Sequence, residues 1–361
     1  MKTMFHYLNR FSTALRKDAL LRQYLLRNSW LLLKALLRIY LSPKYSKLII
    51  ISLSEHIGDI VASEPFAYHL RKLNPRAFII WLVDEKYEEL VKYNTNINAV
   101  LKASCLTELI ILKKVFSRFI KFYDLHVNMK TCTTHRISNR NSINKTIDFS
   151  NYLNHGNLLQ IGSMAAGIND MPDYAPKFFF KDNQRSRLIE ADYIVLHTLS
   201  NNAERNWCSE KWNDLVKRLL IKYPEIHIAE IGLENIIQSR SPRYYNFTGK
   251  LSLQEIAGVI EASVLFIGVE SGFGHIANAL SKNSIILIGY YRGFKNYMVY
   301  SGAFARRENV SLLYYQGNLK HLEIDEVERA VDKRISISSI FTAVLLEPIN
   351  IELITALGIC H

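Results

Sequence analysis

The stretch Leu48-Ile-Ile-Ile-Ser-Leu-Ser-Glu-His-Ile-Gly-Asp59 decides how the rest of the sequence is interpreted. Its first half, Leu48 to Ser52, is a short apolar, β-branched run of the kind that is buried in a parallel sheet. Gly58 permits a tight turn, and Asp59 stands at the start of a helical stretch that continues to about Leu73. A buried strand followed by a turn and a helix predicts the first unit of an α/β fold.

Two series of alternating strands and helices extend from this unit toward the C-terminus. In the first series, Phe78 to Val83 is the next strand and Glu85 to Tyr93 the next helix. A linker-like stretch at 171–176 separates it from the second series. That series predicts strands at 193–197, 227–231, 264–269 and 284–288 and helices at 209–223, 252–262 and 275–280. The alternation predicts an α/β protein with two doubly wound, Rossmann-like domains that face each other across a central cleft.

Length and composition agree with two globular domains. The chain has 361 residues, of which 49% are hydrophobic and 22% charged, which excludes a disordered or fibrous protein. We expect an extension at 1–46, domains at 47–175 and 176–334, and a C-terminal tail at 335–361.

The four cysteines are far apart in sequence and form no Cys/His cluster at zinc spacing; they are Cys105, Cys132, Cys208 and Cys360. They predict a reducing compartment, no disulfide framework and no structural metal.

The positive charge is concentrated in the first 47 residues. The formal net charge is +12, and residues 1–47 hold ten lysines and arginines against Asp18 alone, a local charge of +9. Cations interrupt every apolar stretch, which argues against a cleaved export signal. Lys34 and Arg38 divide the most apolar part, which argues against a membrane-spanning helix. A remaining apolar stripe recurs at helical spacing and consists of Trp30, Leu33, Leu36, Leu37 and Tyr40.

This basic amphipathic region predicts one of two attachments. The first is binding to an anionic membrane surface, where each nearby cation contributes about 1 kcal/mol to the binding free energy. Alternatively, the region packs on the body of the protein or on a second subunit. RNA binding is disfavoured because no aromatic-basic recognition motif accompanies the charge, so we expect no nucleic-acid partner. Residues 102–150 hold nine cations against three acids, either as an ordinary surface or as a face toward an acidic ligand.

Polar stretches follow the predicted strands, at the sheet edge where α/β proteins bind ligands. The first polar stretch is 53–59, and in it Asp59 is either an N-terminal cap of its helix or a general base. The second, 197–207, contains several hydroxyls and Arg205. These groups either hold a phosphate, with the guanidinium binding it bidentately, or form an ordinary solvated loop.

The third polar stretch, 269–280, predicts an anion site. Ser271, Gly272 and Gly274 open a helix directly after a strand. Small residues let the exposed backbone N–H groups approach an anion, and the helix dipole adds to the attraction. The stretch is neither a Walker A loop nor a G-x-G-x-x-G fingerprint, which argues against an ATPase or an NAD enzyme.

Taken together, these stretches resemble glycosyltransferase family 9, the heptosyltransferases that extend the lipopolysaccharide inner core. The motifs that carry the resemblance are Leu48-Ile-Ile-Ile-Ser-Leu-Ser-x-x-Ile-Gly-Asp-Ile-Val61 with Pro65, Trp81-Leu-Val-Asp84, Trp207 with Trp212, Thr248-Gly-Lys-Leu-Ser-Leu253 and Gly268-Val-Glu-Ser-Gly-x-x-His-Ile-Ala-x-Ala-Leu280. The motifs lie between Leu48 and Leu280, and the resemblance covers residues 47–334. The resemblance implies a GT-B fold, with 47–175 as acceptor domain and 176–334 as nucleotide-sugar domain.

The resemblance also implies an activity. It is inverting transfer of a sugar, heptose from ADP-heptose, to a lipopolysaccharide-core or related envelope glycan at the inner face of the cytoplasmic membrane. The nucleotide sugar is the donor substrate, and neither a cofactor nor a metal is expected. Three other interpretations stay open: a catalytically silent nucleotide-sugar-binding relative, a retaining or epimerase-type GT-B protein, and a basic RNA-binding protein.

The site residues that the resemblance implies lie in the motifs above. They are Asp59 as catalytic base, Arg205 as the cation that meets the leaving group, Thr198 and Ser200 as nearby hydroxyls, Glu234 or alternatively Asn235 at the ribose, Leu251 near the adenine, and Ser271, Gly272 and His275 at the diphosphate. Glu270 is counted among the donor-binding residues, although the family usually has aspartate there. Arg205 likewise stands where the family usually has lysine. Arginine keeps the positive charge of lysine but presents its N–H donors as a planar fork.

Overall fold

The structure, a computed structural model, describes residues 2–140, 142–181, 188–294 and 297–346. Two helices come first, α1 (Lys2–Lys17) and α2 (Ala19–Leu41). The strands of the N-terminal domain are β1 (Lys47–Ser52), β2 (Ala77–Asp84), β3 (Ala99–Ala103) and β4 (Lys121–Asp124). Its helices are α3 (Ile57–Ala62), α4 (Glu64–Leu73), α5 (Leu106–Phe116) and α6 (Leu158–Ala165), with 3₁₀ turns at Glu85–Leu90 and Tyr152–Asn154. The sheet is parallel with the order β3-β2-β1-β4.

The C-terminal domain is built around a larger parallel sheet. Its strands are β5 (Tyr193–His197), β6 (His227–Ile231), β7 (Tyr244–Asn246), β8 (Leu265–Val269), β9 (Ser284–Ile288) and β10 (Val310–Tyr314). Its helices are α7 (Ser209–Lys222), α8 (Leu253–Ala262), α9 (Gly272–Ala279), α10 (Gly302–Ala305) and α11 (Ile324–Leu346), with 3₁₀ turns at Ala203–Arg205 and Leu319–His321. The strand order is β10-β9-β8-β5-β6-β7.

Buried apolar strands form the centre of both domains. In β1, Ile49 to Ile51 are almost fully buried, and Ile49 pairs with Ile79 of β2. Every residue of β5, β8 and β9 is buried. The predicted α/β architecture with two Rossmann-like domains is therefore confirmed.

Several predicted elements differ in detail. The single helix expected to run from Gly58 to about Leu73 is two helices, because the helix ends at Ser63 and a new one begins with Pro65 in its first turn. The helix expected at 85–93 is a 3₁₀ turn. Helix α11 continues across residue 334, where the sequence predicted the tail to begin, and residues 347–361 of that tail lie outside the described residues.

The topology places the polar loops at two switch points. From β5 the chain first adds β6 and β7 on one side of the sheet, and then β8 to β10 on the other. From β1 it adds β2 and β3, and then β4 on the opposite side. The loops after β5 and β8, and those after β1 and β4, therefore open crevices at the carboxyl ends of the sheets, where α/β folds bind ligands.

The N-terminal helices pack on the first domain with one face. Leu21, Tyr24, Asn28 and Leu32 are buried at helical spacing along α2. The Nδ2 group of Asn28 donates to Glu108 Oε1 at 2.6 Å and to the Lys102 carbonyl at 2.7 Å. The alternative that this region packs on the body is thus correct for one face of α2. Within the described part of the chain, no helix is long and apolar enough to cross a membrane.

Candidate active site

The two domains meet where α3 and α9 begin. A Cβ atom added to Gly272 would lie 2.6 Å from Cβ of Ile57, and one added to Gly58 would lie 2.8 Å from Cδ2 of His275. Real Cβ atoms do not approach other atoms so closely, so both positions accept only glycine without movement of the domains. The β1 loop and the β8 loop, which the sequence singled out separately, therefore form one site.

Asp59 lies in the first turn of α3 at this junction and is partly buried. Burial raises the pKa of its carboxyl group, and the nearby charges of Lys130 and His275 oppose that rise. Among the described residues, no hydrogen bond or ion pair engages this carboxylate. A carboxylate of raised pKa without a structural partner is suited to accept a proton.

Arg205 faces the same junction from the C-terminal domain and is paired with Glu270. Its Nη1 lies 2.5 Å from Glu270 Oε2, and its Nη2 donates to Asn201 Oδ1 at 3.1 Å. The guanidinium carbon lies 4.3 Å from the centre of the Tyr291 ring, and the Tyr297 hydroxyl donates to Glu270 at 3.2 Å. The pair is mostly buried, so Glu270 holds the guanidinium at the mouth of the β5 loop in a fixed orientation and offsets its charge.

The N-terminus of α9 is free of a side-chain cap. Ser271 is the N-cap residue, but its hydroxyl hydrogen-bonds to Nδ1 of His197 at 3.0 Å instead of capping the helix. His275 is buried one turn further on, and burial lowers the pKa of its ring to about 4, which keeps it neutral. Its Nδ1 has no hydrogen-bond partner among the described residues. The first backbone N–H groups of α9 are therefore not used by a side-chain cap, and the anion site at this helix start stays a prediction.

Both predicted loop hydroxyls form hydrogen bonds to other groups of the protein. Thr198 is buried, and its hydroxyl donates to Glu230 Oε1 at 2.9 Å. The Ser200 hydroxyl bonds to Asn206 Oδ1 at 2.9 Å and to the Asn202 carbonyl at 2.8 Å. Both residues shape the loop that carries Arg205, and neither presents an unengaged hydroxyl.

The predicted nucleoside residues lie on two neighbouring loops. Glu234 is exposed in the loop after β6, beside Leu233, which is 89% exposed. Leu251 is partly exposed in the turn before α8, and a backbone hydrogen bond from Gly249 to Gly232 joins that turn to the β6 loop. The alternative ribose residue, Asn235, donates its amide group to Glu230 and to the Tyr244 hydroxyl. Glu234 is thus the carboxylate free to reach a ligand, and an exposed leucine provides an apolar surface next to it.

Sequence reasoning missed a basic residue beside Asp59. Lys130 follows β4, and its Nζ lies 3.4 Å from Glu55 Oε2 and 3.2 Å from His56 Nε2. His56 itself has a positive φ of 44° at the start of α3. The signal that would have found Lys130 is its place after the strand next to β1, but the four-residue β4 was not predicted from the sequence.

Aromatic residues from both domains complete the site and were also missed. The rings of Phe149 and Tyr152 are stacked with centres 6.0 Å apart, and Tyr152 contacts Phe294 of the C-terminal domain edge-on at 5.6 Å. Lys130 and Arg292 each place a positive charge over the Phe149 ring, at 4.9 Å and 4.2 Å from its centre. A cleft of about 400 Å³ opens beside Phe149 and Arg292. The junction therefore has a second basic surface around Phe149, with one cation from each domain.

Solved structures with the same architecture define the class of protein. The structure of a family 9 glycosyl transferase from Veillonella parvula is 15% identical, covers 81% of this chain and 98% of its own, and superposes with a TM-score of 0.60. The structure of E. coli ADP-heptose lps heptosyltransferase II is 15% identical, with 81% of this chain and 100% of its own covered, and also has a TM-score of 0.60. The fold is therefore GT-B, two Rossmann-like domains around a junction that contains the candidate site.

Sequence comparisons point to the same kind of protein. The model for "Glycosyltransferase family 9 (heptosyltransferase)" matches residues 169–295. "Lipopolysaccharide heptosyltransferase 1" of Campylobacter coli is 24% identical in an alignment of 330 positions that covers 77% of this chain and 92% of the relative. Both matches support the resemblance to family 9 and a glycosyltransferase similar to the heptosyltransferases.

Proposed function

We propose that this protein is an inverting glycosyltransferase that transfers heptose from ADP-heptose to a lipopolysaccharide-core or related envelope glycan. The observation that carries the proposal is the junction itself, where Asp59 of one domain lies opposite Arg205 and the uncapped N-terminus of α9. The names of the similar proteins support the choice of sugar and acceptor, since the Campylobacter relative is a lipopolysaccharide heptosyltransferase. The name of the E. coli structure includes ADP-heptose, which supports ADP-heptose as the donor.

Asp59 acts as the general base in this mechanism. It accepts the proton of the acceptor hydroxyl as that oxygen attacks the anomeric carbon from the face opposite the nucleotide, and the configuration is inverted. Its raised pKa makes it a stronger proton acceptor than an exposed aspartate. Lys130 lies on the acceptor side of this base, where its charge favours the ionised carboxylate and suits a negatively charged acceptor.

The leaving diphosphate is stabilised by fixed positive groups of the C-terminal domain. Arg205 is held in place by Glu270, and the N–H groups that begin α9 add the positive end of a helix dipole. In the proposed reaction these hydrogen-bond donors take the place of a divalent ion, so no metal is needed. Glu234 binds the ribose hydroxyls, and Leu251 with Leu233 covers the adenine.

One variant separates catalysis from donor binding. We expect Asp59→Asn to lower turnover by about 10²–10⁴-fold, the usual contribution of a general base, while ADP binds with unchanged affinity. Transfer from ADP-heptose is measured by product mass, and ADP affinity by calorimetry, both with and without excess EDTA. Asp214→Asn, an exposed aspartate of α7, is the matched control.

The outcomes distinguish the proposal from its alternatives. Full turnover in Asp59→Asn removes this residue from the mechanism, and loss of activity in EDTA that Mg²⁺ restores disproves a metal-independent reaction. ADP binding without transfer to any core acceptor by the unmodified protein favours the silent nucleotide-sugar-binding relative.

The proposal includes attachment to an anionic membrane surface at the cytoplasmic face. The side of α2 that does not pack on the body exposes a continuous apolar stripe: Leu26 at 74%, Trp30 at 59%, Leu33 at 51%, Leu37 at 58% and Leu41 at 71%. Leu36, which the sequence placed in the stripe, packs against the core instead. The exposed cations Lys34 and Arg38 flank the stripe. An apolar surface bordered by cations fits the interface of anionic lipids.

Point variants test this attachment better than a deletion, because deleting α2 would uncover the core that Leu21 and Leu32 fill. We expect a Trp30→Ser, Leu37→Ser double variant to lose sedimentation with phosphatidylglycerol vesicles, while the unmodified protein binds them at low salt and is released by high salt. Ile221→Ser, which is equally exposed on α7, should bind as the unmodified protein does. Equal binding to phosphatidylcholine vesicles, or none to either, would contradict the proposal.

A further inference from the structure

A cluster of metal-ligating side chains lies in the N-terminal domain, where that domain meets the N-terminal helices. Twenty-six residues separate Cys105 from Cys132 in the sequence, but the fold brings both together with His135. Nδ1 of His135 lies 3.5 Å from Sγ of Cys105 and 3.9 Å from Sγ of Cys132, and the three ligand atoms all lie within 4.8 Å of one another. Both cysteines are buried free thiols.

These distances suit one tetrahedral ion. With bonds of about 2.3 Å to sulfur and about 2.0–2.1 Å to nitrogen, a tetrahedral Zn²⁺ places its sulfur and nitrogen ligands about 3.6 Å apart. The two distances from His135 Nδ1 to the sulfur atoms differ from that value by a few tenths of an ångström. A thiophilic ion thus fits between the three atoms after small side-chain movements, with a fourth position for water or another ligand.

Two of the three ligands are held by a tight backbone hairpin. The N–H of Cys132 donates to the Ile137 carbonyl at 2.9 Å, and the N–H of Arg136 donates to the Cys132 carbonyl at 2.9 Å. Arg136 completes the turn in the left-handed region, with φ of 54°. The hairpin therefore fixes Cys132 and His135 on the same side before any ion binds.

Asp18 orients the histidine ring toward the sulfur atoms. Nε2 of His135 lies 3.0 Å from Oδ2 of Asp18, which requires the proton on Nε2 and leaves the lone pair of Nδ1 facing the two thiols. Metal-binding histidines characteristically donate their other ring N–H to a carboxylate in this way. The second oxygen of Asp18 caps α2 by accepting from the Leu21 N–H at 2.9 Å.

We propose that Cys105, Cys132 and His135 bind one thiophilic divalent cation of the Zn²⁺ type, with Asp18 as the positioning residue. The ion would fasten the N-terminal helices to the first domain, because Asp18 joins α1 to α2 and Arg10 of α1 donates to the Arg136 carbonyl at 2.8 Å. This site is separate from the proposed transfer reaction and uses none of its residues.

Cobalt is the probe that tests the site. Reduced full-length protein titrated with Co²⁺ should show sulfur-to-cobalt charge transfer and intense tetrahedral visible bands that saturate at one ion per chain, and Zn²⁺ should displace them. Cys208→Ser, which alters a free cysteine elsewhere, should keep the spectrum. Cys105→Ser should lose it. Asp18→Asn should keep the bands and bind about 10–100-fold more weakly, the usual cost of losing such a carboxylate.

The same titration can overturn the proposal. Absence of thiolate bands at stoichiometric Co²⁺, or bands that persist in Cys105→Ser, shows that these residues are not the ligands. Asp18→Asn retains all three ligands, so its spectrum and affinity remain informative if Cys105→Ser does not fold. Recovery of Cys105 and Cys132 as a disulfide-linked peptide, with no binding after reduction, would assign the pair to thiol oxidation instead.

Discussion

The close approach of the two domains gives the sharpest test of the structure. In Gly272→Ala, the new methyl carbon would lie 2.6 Å from Cβ and 2.9 Å from Cγ2 of Ile57, about 0.8 Å short of ordinary contact. The nearest atom is a Cβ fixed to the backbone, so a side-chain rotation cannot relieve the clash. The domains must therefore separate at this point by a substantial part of an ångström.

We expect this separation to affect catalysis more than stability. Overpacking of this kind costs about 1–3 kcal/mol when the structure cannot move, and less if a domain movement absorbs it. A misplacement of about 1 Å between reacting groups lowers a rate by about 10²-fold, so kcat should fall by about 10–10²-fold as Asp59 moves away from the donor. Transfer kinetics and a thermal unfolding midpoint measure the two effects.

Two further variants make the result interpretable. Gly162→Ala, whose added carbon would meet its neighbours at 3.5 Å or more, should leave kcat unchanged. Adding Ile57→Gly to Gly272→Ala removes both of the nearest atoms and should restore much of the lost turnover. Unchanged kcat in Gly272→Ala, or no recovery in the double variant, would refute the closed arrangement of the two domains.

Three other predictions follow from the charged groups. Arg205→Lys and Glu270→Asp should each weaken ADP binding, as measured by calorimetry. The double variant should recover part of that loss, with a coupling energy of about 0.5–3 kcal/mol between the two positions. Strictly additive losses of binding free energy would contradict the pairing. The kcat/KM for transfer should rise with pH through an apparent pKa above the ordinary aspartate value of about 3.9, and the residual activity of Asp59→Asn should lack this limb. Burial raises the pKa of Glu64 from 4.5 to about 7, so the folded state holds a proton that the unfolded chain releases. The free energy of unfolding should therefore fall by about 3 kcal/mol between about pH 4.5 and 7, and Glu64→Gln should remove this slope in urea denaturation.

The sequence predicted the strands that consist of continuous β-branched and apolar residues. Such runs, Leu48 to Ile51 for example, are buried on both faces of a parallel sheet, and their pattern is strong in a single sequence. Strand β4, by contrast, has four residues with a charge at each end, Lys121 and Asp124, and owes its place to pairing with β1. Because β4 was missed, the position of Lys130 beside the junction could not be predicted either.

Contacts between distant residues were beyond the sequence for a different reason. The ligands Cys132 and His135 are separated by two residues, a common spacing, but Cys105 reaches them only through the fold of β3, α5 and β4. The local sequence pattern contains no information about contacts between such distant residues, so the cysteines appeared scattered. The glycines of the junction are similar, since only the approach of the second domain explains why a side chain is excluded at either one.

The pairing of Arg205 with Glu270 changes how the two departures from the family pattern are understood. In the sequence they are 65 residues apart and stand as independent substitutions, arginine for lysine and glutamate for aspartate. In the structure they are the two partners of one mostly buried ion pair. A buried charge that loses its partner is strongly destabilising, so a change of one partner constrains the other. We therefore expect the longer carboxylate and the forked cation to act as one unit of the proposed diphosphate site, and their effect on the donor must be tested together.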